Sequence, residues 1–243
     1  MIYTRPFITK RFIAYAGDSR RIDVTLAVRV IDAFTEDPPL VPLTIRLKEL
    51  PQIRPVRGES SFYCFEGRET VTINGTVIVR NPIPDGNYTL IVEPDPASGN
   101  QFKLQPRVAG QPWTATFERP IVLPLPNPLQ PLEVVTLSPT PAYPFPANAT
   151  LVRGTVKKFG AAVAAAVVST TYDQIDPADT TQTILVDIET ITDLAGEFVL
   201  FFKSLPARTQ NITIVAKKNG DQNQITPMIN EGSTLKNQHI TFP

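Results

Sequence analysis

Cysteine and histidine are almost missing from this chain: Cys64 and His239 are each alone of their kind in 243 residues. One cysteine excludes an internal disulfide, and its alternation with Phe62, Tyr63 and Phe65 in "SFYCFEG" reads as a small buried side chain. One histidine, four residues from the end and with no cysteine beside it, leaves any zinc site or histidine-based triad without partners. No Gly-rich phosphate loop, G-x-S-x-G, S-x-x-K or H-E-x-x-H is present. Neither sign of charge prevails, since 23 Lys and Arg balance 23 Asp and Glu, so no overall field draws nucleic acid or an anionic surface. No apolar run approaches the roughly 18 residues of a membrane span. At the start, Arg5, Lys10 and Arg11 interrupt the apolar residues, and "FIAYAG" is about half the length of a secretory h-region. The expectations are therefore an enzyme-free, cytoplasmic chain without signal peptide, cofactor, metal, small-molecule substrate or nucleic-acid partner. Glycine is also sparse, at 12, while proline is abundant, at 25. That much proline excludes a mostly helical chain.

What is present is alternation. "RIDVTLAVRVID" (21–32), "LTIRLKEL" (43–50), "TVTINGTVIVRN" (70–81) and "NYTLIVEP" (87–94) repeat apolar and polar residues with period two, and "EDPP", "NPIPDG" and "PDPASGN" separate them with turn chemistry. From Gln105 to Ala147 prolines crowd the chain, as in "PLPNPLQP" and "SPTPAYPFP", which favours extended polyproline geometry over helix or central strand. Within it "LEVVTL" (132–137) reads as the last strand of a first domain. Alternation resumes in "LVRGTVKK" (151–158), "ILVDIETITD" (184–193), "GEFVLFF" (196–202), "NITIVAKKNG" (211–220) and "QHITFP" (238–243). The expected architecture is all-β: two tandem antiparallel Greek-key sandwiches of transthyretin or Ig-like type. The expected division is an N-terminal arm over 1–21, a first sandwich over 22–137, a proline-rich linker over 138–148 and a second sandwich over 149–243. "GAAVAAAVVST" (160–170) is helical by propensity, but it lies between strands with no room for a crossover, so 162–169 is expected as strand.

The second half resembles the carboxypeptidase regulatory-like domain, a transthyretin-like (prealbumin-like) β-sandwich. Val152, Gly154 and Val156 match its first strand; Gly160, Val163, Ala166 and Val168 its second; Thr192, Asp193, Gly196, Phe198 and Leu200 its T-D-x-x-G-x-F-x-L segment. Ala162 and Ala165 stand where proline and glycine are usual. Asp193 and Gly196 are expected to bracket a tight hairpin turn, Asp193 capping loose N–H groups and Gly196 supplying a positive φ, with Phe198 and Leu200 pointing inward. In the first half, residues 28–47 and 75–94 resemble the same opening and the same later hairpin more faintly.

Candidate sites are few. Asp173, Asp176 and Asp179 lack the spacing, glycine and closing glutamate of a calcium loop and read as a solvated loop. The sequons at Asn74, Asn87, Asn148 and Asn211 are products of Thr-rich strands. Interaction candidates are Tyr3, Phe7, Phe12 and Tyr15 in the arm, which can pack on its own domain or add to a neighbour's sheet edge, together with Trp113 and Tyr143 in loop contexts. Domains of the resembled family mostly occur outside cells as stalks, adhesins and accessory modules. A signal-less β-rich chain without catalytic residues fits a structural subunit of a phage-tail-like contractile injection particle, at its baseplate or outer decoration, with other protein subunits as partners. The alternative is a carbohydrate- or protein-binding accessory module, for which Trp113, Tyr143 and Tyr172 would be the exposed rings.

Overall fold

The computed structural model describes residues 10–15, 18–58, 62–106, 113, 116–127 and 131–243, the backbone alone before Arg20. Tyr3 and Phe7 lie outside the described residues, and of Phe12 and Tyr15 only the backbone is described. The described residues are almost entirely strand and turn, with one short 3-10 helix at Pro96–Ser98 and no α-helix. The chain divides into two compact units: a first built from the chain up to Gly99 with Lys103–Leu137, and a second built from Ser138–Pro243 with Asn100–Phe102.

The strands of the first half are β1 (Lys10–Tyr15), β2 (Asp18–Asp32), β3 (Leu43–Leu47), β4 (Val56–Arg57), β5 (Phe62–Ile73), β6 (Thr76–Arg80), β7 (Gly86–Pro94), β8 (Phe102–Leu104), β9 (Glu118–Leu123) and β10 (Leu132–Pro139). One sheet runs β4-β5-β2-β10-β8, with β1 also on β2 and β6 also on β5; the other runs β3-β7-β9. Alternating inward residues of both, among them Leu26, Val28, Phe65, Leu47, Leu90 and Ile121, form the core. β2 pairs antiparallel with β1 and β5, β5 with β4 and β6, and β7 with β3 and β9, whereas β2 with β10 is parallel over Ala27–Asp32. The long β2–β5 ribbon shifts register twice between Ile22 and Leu26. There the Thr25 side chain fills the space over Gly67 where any Cβ would stand, so the position takes glycine. The strand, turn, strand order expected over 28–47 is present as β2 and β3, which join different sheets, but the hairpin expected over 75–94 does not form, because β6 and β7 do not pair. β8 and β9 arise inside or beside the proline-dense stretch. β9 tolerates Pro120 because it is an edge strand, paired only with β7.

A buried ion pair joins the two sheets. Arg119 of β9 and Glu133 of β10, with side chains 6% and 4% exposed, meet at 3.2 Å. The same guanidinium donates to the carbonyls of Val134 and Gln105, each at 2.8 Å.

The second unit contains β11 (Thr150–Lys158), β12 (Ala161–Ala162), β13 (Val167–Ile175), β14 (Thr183–Ile191), β15 (Glu197–Phe202), β16 (Thr209–Asn211), β17 (Ile214–Lys218), β18 (Asp221–Ile225), β19 (Met228–Asn230) and β20 (Thr234–Phe242). β20 and β15 flank β11, which also carries β12; β14-β13-β17-β18 form the facing sheet, and β16 pairs β19. Again the first and last long strands, β11 and β20, run parallel. Phe198, Leu200, Phe242, Val152, Val168 and Ile214 fill the core. Gly154 is required there: a Cβ would stand 2.7 Å from Phe198 Cζ and would also press on the Gln238 carbonyl.

The alanine run is not a helix, and it is not the continuous strand expected over 162–169. Ala161–Ala162 pair with Lys157 and Lys158, a turn over 163–166 follows, and strand resumes at Val167. The buried Thr192 hydroxyl holds that turn, accepting from the Ala166 N–H at 2.8 Å and donating to the Val163 carbonyl at 2.6 Å. Ala165 adopts φ 54°. The "TDLAGEF" turn has the expected chemistry: Asp193 Oδ1 accepts from the N–H groups of Ala195 and Glu197, both at 2.9 Å, and Gly196 has φ 73°. Phe198 and Leu200 are buried. However, it is an arch between sheets and not a hairpin, since β15 pairs with β11 and β14 with β13.

The proline-rich segment after Leu137 is not an extended spacer. β10 continues to Pro139, turns follow at 141–143 and 147–148, and the rings pack within the second unit. Phe145 lies 4.6 Å from Tyr143 and 6.5 Å from Phe201 between centroids, and Arg153 stands over Phe145 while donating to the Pro141 carbonyl at 2.6 Å.

Candidate protein interface

The side chains with chemical potential are occupied by the fold. His239 Nδ1 is 2.8 Å from Thr155 Oγ1 across the β11–β20 pairing. Cys64 is half-buried, and burial first, then the Glu66 charge, pushes its thiol pKa up, away from a reactive thiolate. Asp176 Oδ1 accepts from the Ala178 N–H, and Asp179 accepts from Thr181 and Gln182. The hydrogen bonds from the Thr181 hydroxyl and N–H hold Asp179 below the usual carboxylate range, so this loop spends its carboxylates on its own turns. Among the described residues no group of three or more His, Cys, Asp or Glu is placed to hold a metal.

Of the aromatic candidates, Tyr143 and Tyr172 are used in packing. Tyr143 stacks edge-on against Phe102, at 5.3 Å between centroids, and against Phe145. Tyr172 does not sit in a loop: it is on β13, 3% exposed, with its hydroxyl accepting from the Lys203 N–H and donating to Gln174. Burial raises its pKa. Trp113 is half-buried. The β1 segment of the arm, with Phe12 and Tyr15, pairs in its own chain with Asp18–Asp23 of β2.

Three concavities among the described residues offer no convergent chemistry. Depressions of about 500 Å³ beside Arg68, Asn81, Ile83 and Asp85, about 450 Å³ beside Glu49, Tyr88 and Leu125, and about 370 Å³ beside Lys217, Asn219 and Gln222 are open and carry scattered polar groups.

The surface that stands out is β6. Asn74 and Gly75, with φ 48° and 77°, make a two-residue turn of the primed type that folds Thr76–Arg80 back on β5. Its sequence signal is Asn-Gly inside the alternating run 70–81. All five residues of β6 are exposed, and Val77, Ile78 and Val79 are 60%, 42% and 50% exposed, next to Ile73 at 45%. Such a two-residue loop makes Ile73 and Thr76 a hydrogen-bonded pair. Thr76, Ile78 and Arg80 therefore turn their backbone groups toward β5, and Val77 and Val79 turn theirs to the open side, where no strand pairs among the described residues. Several other edges are guarded: β9 carries Pro120, β1 opens with Lys10 and Arg11, β18 is "DQNQI", β14 carries Asp187 and Glu189, and β4, β8 and β12 have two or three residues. β6 has one charge, Arg80, at its end.

No protein-family model and no curated protein matches the chain. Solved structures do. It is similar to the Bacillus anthracis TIE protein, with 11% identity over 91% of this chain and 34% of that one and a TM-score of 0.25. It is similar to a streptococcal ancillary pilin, with 11% identity over 93% and 63% and a TM-score of 0.24. A double mutant of the shaft pilin SpaA from Lactobacillus rhamnosus GG gives 9% identity over 90% and 97% and a TM-score of 0.26. The chain thus spans about a third of the first and just under two thirds of the second. Likenesses this faint carry no argument about action; the all-β sandwich architecture stands on the strand pairing above.

Proposed function

We propose that this protein is a non-catalytic structural or adhesion module that acts by protein–protein contact. The observation that carries the reading is the uncovered, apolar edge strand β6, which offers backbone groups and β-branched side chains to a partner. The finer reading is a subunit of a phage-tail-like contractile injection particle, built in the cytoplasm, with a second half of carboxypeptidase regulatory-like type. The carbohydrate-binding alternative has less support, because Tyr143 and Tyr172 are packed and not presented. The test is sedimentation of tagged protein from native lysate, comparing the full chain with the Val77→Lys/Val79→Lys variant. A high-mass fraction containing the full chain and lost with the variant is expected. Should the full chain run with no high-mass fraction, the particle reading fails. Deleting the arm is a poor test, because it strips β1 from β2.

A further inference from the structure

We infer that the partner of β6 is β6 of a second copy of this chain, paired antiparallel about a two-fold axis through Ile78. The inference rests on reading β6 as the contact surface and adds what covers it. The open side of β6 presents the N–H and C=O groups of Val77 and Val79. With Ile78 opposite Ile78 of the second copy, Val77 falls opposite the other copy's Val79, and each such pair exchanges both of its hydrogen bonds, so the outward groups of both copies are satisfied. A two-fold through Val77 would set Val79 opposite Gly75 in the turn, and one through Val79 would set Val77 opposite Asn81 beyond the end of the strand. Charge agrees with the same register. Arg80 falls opposite Thr76, no like charges meet across the axis, and Glu69 stays beside Arg80 within its own chain.

The side chains agree as well. One face of the joined strands brings together Val77 and Val79 of both copies, and the other sets the two Ile78 side chains against each other; all three are exposed apolar residues of this hairpin. The product is a continuous sheet in which β1, β2, β5 and β6 of one copy meet the same strands of the other, and the unguarded edge disappears.

The test uses the purified full chain carrying Cys64→Ser, so that introduced thiols are alone. Ile78 is a non-hydrogen-bonded opposite pair in the proposed register, with Cα atoms about 4.5 Å apart and within disulfide reach. Under mild oxidation Ile78→Cys should give a covalent homodimer. Val77→Cys alone should not, while a mixture of Val77→Cys and Val79→Cys chains should cross-link to each other. Sedimentation velocity over roughly 1–100 µM should show dimer for the parent and monomer for Val77→Lys/Val79→Lys, with unchanged circular dichroism. A monomeric parent at the highest concentration, or cross-linking without preference for position 78, overturns the inference. If the pure chain is monomeric and the lysate high-mass fraction still depends on Val77 and Val79, β6 serves a different protein: the second-copy inference falls while the proposed function stands. If the lysate fraction is absent too, both fall.

Discussion

Replacing Arg119 with methionine should come close to unfolding the first unit. The guanidinium lies between the sheets and makes an ion pair with Glu133 and hydrogen bonds to the carbonyls of Val134 and Gln105. Methionine fills much of the volume but donates nothing. It removes the cation facing a carboxylate only 4% exposed and leaves two carbonyls short of a donor. Removing one partner of a buried pair costs about 3–5 kcal/mol, and each buried acceptor left short costs about 1–3 kcal/mol. These terms overlap, so the net expectation is about 4 kcal/mol, a large part of the 5–15 kcal/mol that holds a domain together. Trp113 is the chain's single tryptophan and belongs to the first unit, so its fluorescence in urea reports that unit. With a slope of about 1.5 kcal/mol per molar urea, the midpoint should fall by roughly 2.5 M. Arg119→Lys keeps the charge but not the fork and should lose about half as much. Arg119→Met/Glu133→Met removes the buried carboxylate together with the cation and should be more stable than Arg119→Met alone. A loss below about 1 kcal/mol for Arg119→Met, as an exposed pair would give, refutes the reasoning.

Gly154→Ala should destabilise the second unit by about 1–3 kcal/mol through overpacking, read as a lower thermal transition by circular dichroism. Phe198→Leu should not rescue it, because the Gln238 carbonyl also occupies the space. We propose that the two units unfold independently; the Trp113 transition should then be unchanged in Gly154→Ala, and a matching shift would refute that. Cys64 should be alkylated more slowly at neutral pH than a free thiol, with the midpoint of its rate against pH displaced upward, since burial disfavours the thiolate. Glu66→Gln should bring that midpoint only part of the way back, because the charge is the smaller cause; a midpoint at or below the ordinary thiol value would contradict the burial.

Alternation made most strands legible, because period two reports which residues share a face. It does not report pairing. Residues 28–47 read as strand, turn, strand and 75–94 as a hairpin, yet in both stretches the two strands join different sheets, a choice made by cores that span the whole unit. The turn inside the alanine run depends on the Thr192 hydroxyl, which lies 26 residues beyond Ala166. Proline hid β9, since the rule against it in a strand weakens at an edge. The expectation of an extended linker missed the aromatic packing of Tyr143 and Phe145. The candidate interface was half legible: Asn74-Gly75 announces the hairpin, but "TVIVR" reads as a buried strand, and its exposure on both faces is a property of where the ribbon ends.

That exposure follows from a mismatch of lengths. In each unit the first long strand pairs in parallel with the last, β2 with β10 and β11 with β20, so each sheet is completed only when its final strand arrives. β20 runs along most of β11, from Leu151 to Lys158. β2, however, is 15 residues long, and β10 covers it only over Ala27–Asp32. The half of β2 before Ala27 runs with the end of β5 beyond the reach of β10, and each needs another strand at its outer side. β1 supplies one from the chain before β2, where Lys10 and Arg11 keep the new edge charged. β6 supplies the other by folding back at Asn74-Gly75, and it brings Val77, Ile78 and Val79 with no lysine or proline among them. A ribbon longer than its sandwich thus ends in one guarded edge and one open edge, and the open edge is where a second polypeptide completes the sheet at the smallest cost in new structure.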